Sequence, residues 1–384
     1  MESFVYSFPT RIRFGRGQFD SAGQEAAALG KSALVLSGAQ DKEAVDQLTQ
    51  QLNAAGVKAG YHVVEGVQAT LPEAQKAAKA GRDAQAALVI AVGDGTVQDT
   101  ARLVAFGLYE PDRLWDQLPR EGTEGRLERV VPILAIPTVP SCSASTEAGG
   151  ALTNPATGER VGFSSDQLLP KAMILDATLT FATSREATCD AAQAMMGSLL
   201  DDYLFGADNA PIQDKIAEGC IETIMENLPV VLSNPSNYSA RANLLWTAAV
   251  AQSGMASVGR GGNRPMSALA RTLAGTHGLP PGRAMGVVMP AAMLAHHSDN
   301  AERIARLGHR LFGLPIMSPT MEEAAAKGVQ QLKKWFHQHA CYHTLQSVGV
   351  TREQVAALSE ATAASVNGTM DAERIAAIWQ FASS

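Results

Sequence analysis

Apolar positions in the first half of the chain fall into short runs separated by stretches with helical spacing, a pattern that predicts strands alternating with helices. Phe4 to Phe14 alternates as a strand does, and Gly15-Arg16-Gly17 ends it. Ala33 to Ser37 is a buried-strand run, Asp41 to Ala55 repeats its apolar residues at helical spacing, and Tyr61 to Val64 predicts the next strand. Thr70-Leu-Pro-Glu73 has the form of a capped helix start, with the helix running to about Asp83. Val131 to Ile136 and Met173 to Leu175 predict two more strands, and Asn154-Pro-Ala-Thr-Gly158 a hairpin turn. Such alternation implies a parallel sheet with helices on its faces.

After about Thr180 the texture changes. Helical patterns cover Arg185 to Phe205, Ile212 to Asn227, Ser239 to Ser257, Pro265 to Ala274, Gly282 to His297, Ala301 to Phe312, Pro319 to Gln338 and Arg352 to Val366. Strand signals nearly vanish. The pattern predicts an α/β domain over residues 1–180, with a Rossmann-like parallel sheet, and an all-helical domain over 181–384.

The stretch with the most chemical content is Ala86 to Arg102. An apolar run, Ala86 to Val92, breaks at Gly93-Asp94-Gly95 into a helix opened by Thr96, with Asp99 at capping-box spacing. Glycines bring backbone close to a ligand, and the exposed N–H groups of a helix start favour a phosphate. The alternative is an ordinary capped turn, because Asp94 and Asp99 put negative charge where a phosphate would sit.

Composition narrows the classes. With 46% hydrophobic and 18% charged residues, the 384-residue chain is ordinary for a globular protein. Its net charge of −7 offers no basic footprint for nucleic acid or an anionic membrane. Cys142, Cys189, Cys220 and Cys341 are scattered without a CxxC, suggesting neither a disulfide framework nor a thiolate zinc site. The start lacks signal-peptide features and no apolar run approaches a membrane span, so a reducing cytoplasm is the expected setting.

In order and spacing the whole chain resembles the iron-containing (group III) alcohol dehydrogenase superfamily, most closely its maleylacetate reductase branch. The resemblance rests on the opening FVYSFPTRIRFGRG, on Gly93-Asp-Gly-Thr96 with Asp99 in place of GGGSxxDxAK, and on Ile136-Pro-Thr138 in place of IPTTAGTGSE. It extends through Pro170 to Thr180 and through Ser267 to Pro290, which aligns with HxLCHxLGGTFxLPH and the segment after it. It implies a dehydroquinate synthase-like fold, an active-site cleft between the domains, and NAD or NADP as cofactor. Ser37, Gly93, Asp94, Gly95, Thr96, Asp99, Thr138, Val139 and Cys142 are then the cofactor-binding candidates. Asp94 replaces the middle glycine of the loop and Arg102 its lysine, while Val139, Ser141 and Ser143 replace a threonine and two glycines.

The family pattern also implies a divalent metal held by an Asp and a His one helical turn apart and by two further His. Those positions are Asp190, Ala194, Ser267 and Pro281. One carboxylate beside one hydroxyl does not supply the four to six donors that iron or zinc takes, so no catalytic metal is expected. A further active-site His of the family is Arg271 here.

Arg271, His277, Asp190 and Ser267 are the catalytic candidates, and Arg260, Asn263, Arg264 and Arg283 the substrate-binding ones. Guanidinium groups can take over part of a metal's electrostatic work while gripping a carboxylate in bidentate fashion. Their alternative is solvated helix-end charge. His277 is a candidate acid or base, or a packed ring. Asp190 is a candidate proton acceptor or partner for Arg271, or a residual helix acid. Cys142 lacks a local base. His337, His339, Cys341 and His343 form the one metal-like cluster, with His339 and His343 a turn apart if the segment is helical. The resemblance puts it away from the cleft, which favours a solvated helix end.

The first functional expectation is a metal-independent NAD(P)-linked oxidoreductase acting on a small keto or unsaturated carboxylate. The second is a non-redox lyase, hydrolase or decarboxylase on the same scaffold, and the third a catalytically silent binding subunit. Asp94 turned away from an open phosphate site favours the first; Asp94 plugging that site favours the second. A homodimer is the default assembly.

Overall fold

The computed structural model describes residues 2–120, 127–140, 148–207, 209–262, 264–317, 319–366 and 370–383. The first half alternates as its pattern predicts. It contains β1 (Arg11–Phe14), α1 (Ala22–Leu29), β2 (Ser32–Ser37), α2 (Lys42–Ala54), β3 (Lys58–Val63), α3 (Leu71–Asp83), β4 (Leu88–Gly93) and α4 (Gly95–Gly107). Then come β5 (Ile133–Pro137), the antiparallel hairpin of β6 (Gly149–Asn154) and β7 (Glu159–Ser164), and β8 (Ala172–Leu175).

Six strands form one parallel sheet in the order β1-β8-β5-β4-β2-β3. Strand side chains alternate between faces, which sorts the core into two layers. Leu34, Leu36, Val89 and Ala91 pack with Ala77 of α3 and Ala101 and Val104 of α4. Ala33, Val35, Ile90 and Val92 pack with Ala22 and Ala26 of α1 and Leu48 and Leu52 of α2. Burial on both faces is why the central strands read as continuous apolar runs. Edge strand β1 is short and mostly exposed. The strand expected from Phe4 narrows to Arg11–Phe14, the residues for which β8 supplies a parallel partner.

The second half is helical: α5 (Arg185–Phe205), α6 (Pro211–Ser233), α7 (Tyr238–Gln252), α8 (Pro265–His277), α9 (Pro281–Ala295), α10 (Ala301–Phe312), α11 (Met321–Gln338), α12 (Gln354–Ser365) and α13 (Ala372–Ala382). The last lies beyond the eight predicted helices, although Ile375, Ile378, Trp379 and Ala382 give it a regular buried face. Residue contacts divide the chain into two units. Ser7–Ser184 with Asn234–Ser253 form the sheet unit, and Met1–Tyr6, Arg185–Ser233 and Gly254–Ser384 the helical one. Helix α7 therefore belongs with the sheet, where Ala242, Leu245 and Ala249 cover Met173 and Leu175.

In the helical unit α5 is buried almost all round, and α9 crosses it at close range. The approach depends on glycines. A Cβ at Gly282 would lie 2.0 Å from the Asp190 carbonyl oxygen, and one at Gly286 2.4 Å from the Gln193 side chain. Among the described residues no helix is long and apolar enough to cross a membrane.

Candidate active site

In an open parallel sheet the ligand crevice lies beyond the carboxyl ends of the strands where the winding reverses. Here β2 leads outward to β3 while β4 leads the other way to β5. Ser37 and Val92 are register partners, and Gly93 pairs with Pro137, so Ser37, Gly93 and Thr138 converge at that point. A Cβ at Gly93 would lie 2.6 Å from the Val97 side chain and 3.2 Å from the Asp41 carboxylate, which leaves room for glycine alone.

Asp94, rather than Thr96, caps α4. Its Oδ1 accepts from the Thr96 N–H at 2.9 Å and the Val97 N–H at 3.2 Å. The expected Thr96–Asp99 capping box does not form, because the helix begins one residue earlier, at Gly95. Asp99 turns inward and accepts from Arg102 Nη1 at 3.1 Å and the Ala151 N–H of β6 at 3.3 Å. Burial pushes its carboxyl up to about 6 against the pull of Arg102 and Arg160. Asp99 and Arg102 thus brace the β6–β7 hairpin. The cap expected at Thr70 is likewise absent: no side-chain bond caps α3, and Glu73 Oε1 sits 2.7 Å from His62 Nε2.

A second carboxylate, Asp41, joins Asp94. Burial and then the Asp94 charge push Asp41 up to about 6, opposed by the nearby Thr138 hydroxyl and by the Gly38 N–H at 3.2 Å. Burial also raises Asp94. Thr138 is buried beside Asp41. Val139 is half-buried, and Cys142 lies outside the described residues.

In the helical unit, Asp190 of α5 takes Arg283 of α9 as its partner. Arg283 Nε donates to Oδ1 at 3.2 Å and Nη2 to Oδ2 at 3.0 Å. Burial raises the Asp190 pKa and Arg283 opposes it. Ser267 and Met266, in the first turn of α8, donate their N–H groups to the buried Asp201 at 2.7 and 2.9 Å. Burial pushes Asp201 up to about 6, with Ser267 and Arg264 holding it back.

Arg264 and Arg260 both have acids of α5 or α6 as partners. Arg264 forks onto Asp202 at 2.9 and 3.0 Å and reaches Ser198 at 2.9 Å. Arg260 is only 1% exposed and binds Asp214, which also holds Arg306. Arg260 is therefore buried between α5 and α6, with its guanidinium bonded to the Asp202 carbonyl and the Asp214 carboxylate. Arg271 is half-buried on α8, and Asn263 lies outside the described residues. His277 closes α8 with Nδ1 2.8 Å from Thr276 Oγ1, and burial lowers its pKa.

Two expectations about the cysteines and histidines also change. Cys189 and Cys341 form a disulfide, so the scattered spacing concealed a cross-link. α11 ends at Gln338, and His339 and His343 do not share a helical turn. Their segment is joined to α5 beside Asp190, and His343 feels the Arg283 charge.

A family model described as iron-containing alcohol dehydrogenase matches residues 9–177, and the Fe-containing alcohol dehydrogenase C-terminal model matches residues 192–377. The chain belongs to the iron-containing alcohol dehydrogenase family. It is 26% identical over 374 residues to a probable NADH-dependent butanol dehydrogenase of Bacillus subtilis strain 168, covering 96% of this chain and 95% of that one. The NADPH-dependent aldehyde reductase YqhD of Escherichia coli K12 is 24% identical over 366 residues, 93% of this chain and 92% of that one. The crystal structure of NADH-dependent butanol dehydrogenase A from Thermotoga maritima matches with a TM-score of 0.91 at 27% identity, over 100% of this chain and 99% of that one.

Asp41, Asp201 and Asp202 are buried acids that no local motif marks. Asp41 reads as the first residue of a helix, and Asp201-Asp202 as two acids inside an apolar helix. A buried acid on a helix with no polar face is the signal that it has a fixed partner.

Proposed function

We propose that the protein is a metal-independent, NAD(P)-linked oxidoreductase, similar to maleylacetate reductases, that acts on a small keto or unsaturated carboxylate. The observation that carries this reading is the bidentate Arg283–Asp190 pair at the position of the family's surviving metal-ligand carboxylate. The other aligned positions are an alanine, a proline and a serine whose hydroxyl, like its backbone N–H, bonds Asp201. This donor set does not fit iron or zinc, and no step is routed through a metal.

The switch point would hold a reduced nicotinamide dinucleotide, which would supply a hydride there. Gly93, Gly95, Ser37 and the buried Thr138 hydroxyl suit it, once Asp94 yields the Thr96 and Val97 N–H groups. Arg283 is anchored through Nε and Nη2, which leaves Nη1 to grip a substrate carboxylate. Membership of the family and the named nicotinamide dependence of its relatives support the redox reading.

The second reading, a non-redox enzyme for a carboxylated small molecule, is favoured by one observation. Asp94 occupies the very N–H groups that a phosphate would use. Titration of the chelator-washed protein with NADH and NADPH separates the two. Micromolar binding of either nucleotide supports the oxidoreductase; no binding of either supports the non-redox enzyme.

A further inference from the structure

The disulfide between Cys189 and Cys341 joins residues 152 positions apart, with their Cα atoms separated by 5.6 Å. Cys189 immediately precedes Asp190 on α5, so the bond ties the carboxylate's own helical turn to the segment that follows α11. Two further contacts fasten that segment to the same helix. Gln193 Nε2 donates to the Cys341 carbonyl, and Arg185 Nη2 donates to the His339 carbonyl at 2.9 Å. Among the described residues Gln193 Oε1 has no partner, and the bond from Nε2 to Cys341 orients the amide. On its other side the Asp190 backbone is pressed against Gly282 of α9, one residue before Arg283.

The turn that carries Asp190 is therefore held between α9 and residues 339–341. We propose that the Cys189–Cys341 disulfide is a positioning clamp that fixes the Asp190–Arg283 pair in the geometry that receives a substrate carboxylate. The inference rests on the reading of Arg283 as the carboxylate anchor. A bidentate guanidinium contact weakens steeply with misalignment, and water admitted beside the pair raises the local dielectric and weakens the attraction further. Cys189 and Cys341 are 4% and 0% exposed, so a reductant, including the thiols of a reducing cytoplasm, reaches the link only when the segment opens. Dithiothreitol then breaks it by exchange: the reagent gives two electrons and two protons, closes to its own cyclic disulfide, and leaves two protein thiols.

The test is calorimetric titration of the full chain with maleate as the dicarboxylate probe. Wild type, Cys189→Ser/Cys341→Ser, dithiothreitol-reduced wild type and Arg283→Gln are compared, with NADH binding measured on each. Mass spectrometry of an unreduced digest checks the linked peptide. The clamp predicts a linked Cys189–Cys341 peptide, maleate binding weakened about tenfold in the double variant and the reduced protein, recovery on reoxidation, and unchanged NADH affinity. Absence of the linked peptide overturns it. So does a double variant that melts earlier but binds maleate as wild type does, which makes the bond structural only. If Arg283→Gln abolishes binding in that case, the anchor reading stands and the clamp alone fails. Maleate binding that is absent in wild type, or unaffected by Arg283→Gln, removes the anchor reading and the clamp with it.

Discussion

Arg283 holds Asp190 through two parallel hydrogen bonds, from Nε at 3.2 Å and Nη2 at 3.0 Å, and so a guanidinium neutralises the carboxylate that the family pattern gives to a metal. Arg283→Gln should weaken binding of small carboxylates at least tenfold. It should also lower stability by about 1–3 kcal/mol, because Asp190 is left buried without its charge partner. Arg283→Lys should recover only part of the binding, since a point charge does not reproduce the fork. Calorimetry with a dicarboxylate and urea melts check all three outcomes.

Asp94 caps α4 and thereby competes with any phosphate for the Thr96 and Val97 N–H groups. Asp94→Ala should tighten NADH or NADPH binding about tenfold by removing a nearby negative charge worth about 1–2 kcal/mol. The same change should cost about 1 kcal/mol of stability through the lost cap. Fluorescence titration with the nucleotide and denaturant melts give the two readings, whose opposite signs distinguish competition from simple damage.

Asp41 has a folded-state pKa pushed up to about 6, above the ordinary carboxylate value, by burial and by Asp94. A raised folded-state pKa favours the protonated form, so its contribution to stability is complete below about pH 4 and is lost as pH rises through about 6. Asp41→Asn should therefore be more stable than wild type at pH 8 by about 2 kcal/mol, a gain that vanishes near pH 4. Thermal melts across that range test the sign.

Gly282 has no room for a side chain, with the Asp190 carbonyl 2.0 Å from the position a Cβ would take. Gly282→Ala should force α9 away from α5 and cost about 1–3 kcal/mol. Because Arg283 is the next residue, carboxylate binding should fall with it. Urea melts and the same calorimetric titration measure both.

The sheet unit was legible because its central strands are buried on both faces and carry uninterrupted apolar runs, as at Leu88–Gly93. Edge strand β1 is shorter than its alternation from Phe4 onward suggests, because a strand also needs a backbone partner and β8 supplies one for Arg11–Phe14. The cap of α4 is ambiguous in sequence because Gly-Asp-Gly-Thr offers two side chains able to reach the same N–H groups, and only the helix start at Gly95 decides between them. Arg260 and Arg283 looked alike in sequence. Their roles separate through acids far along the chain, Asp214 and Asp190, which no local pattern specifies. The pairing of Cys189 with Cys341 was illegible for the same reason, across 152 residues.

The most direct test of the central claim is the initial rate of NADH and NADPH oxidation by chelator-stripped protein, offered a small 2-oxo or unsaturated carboxylate beside uncharged butanal, before and after adding ferrous or zinc ion. The account predicts turnover of a carboxylate by the metal-free protein, little with butanal, and no gain on adding metal. Turnover of butanal that appears only when metal is restored would contradict it.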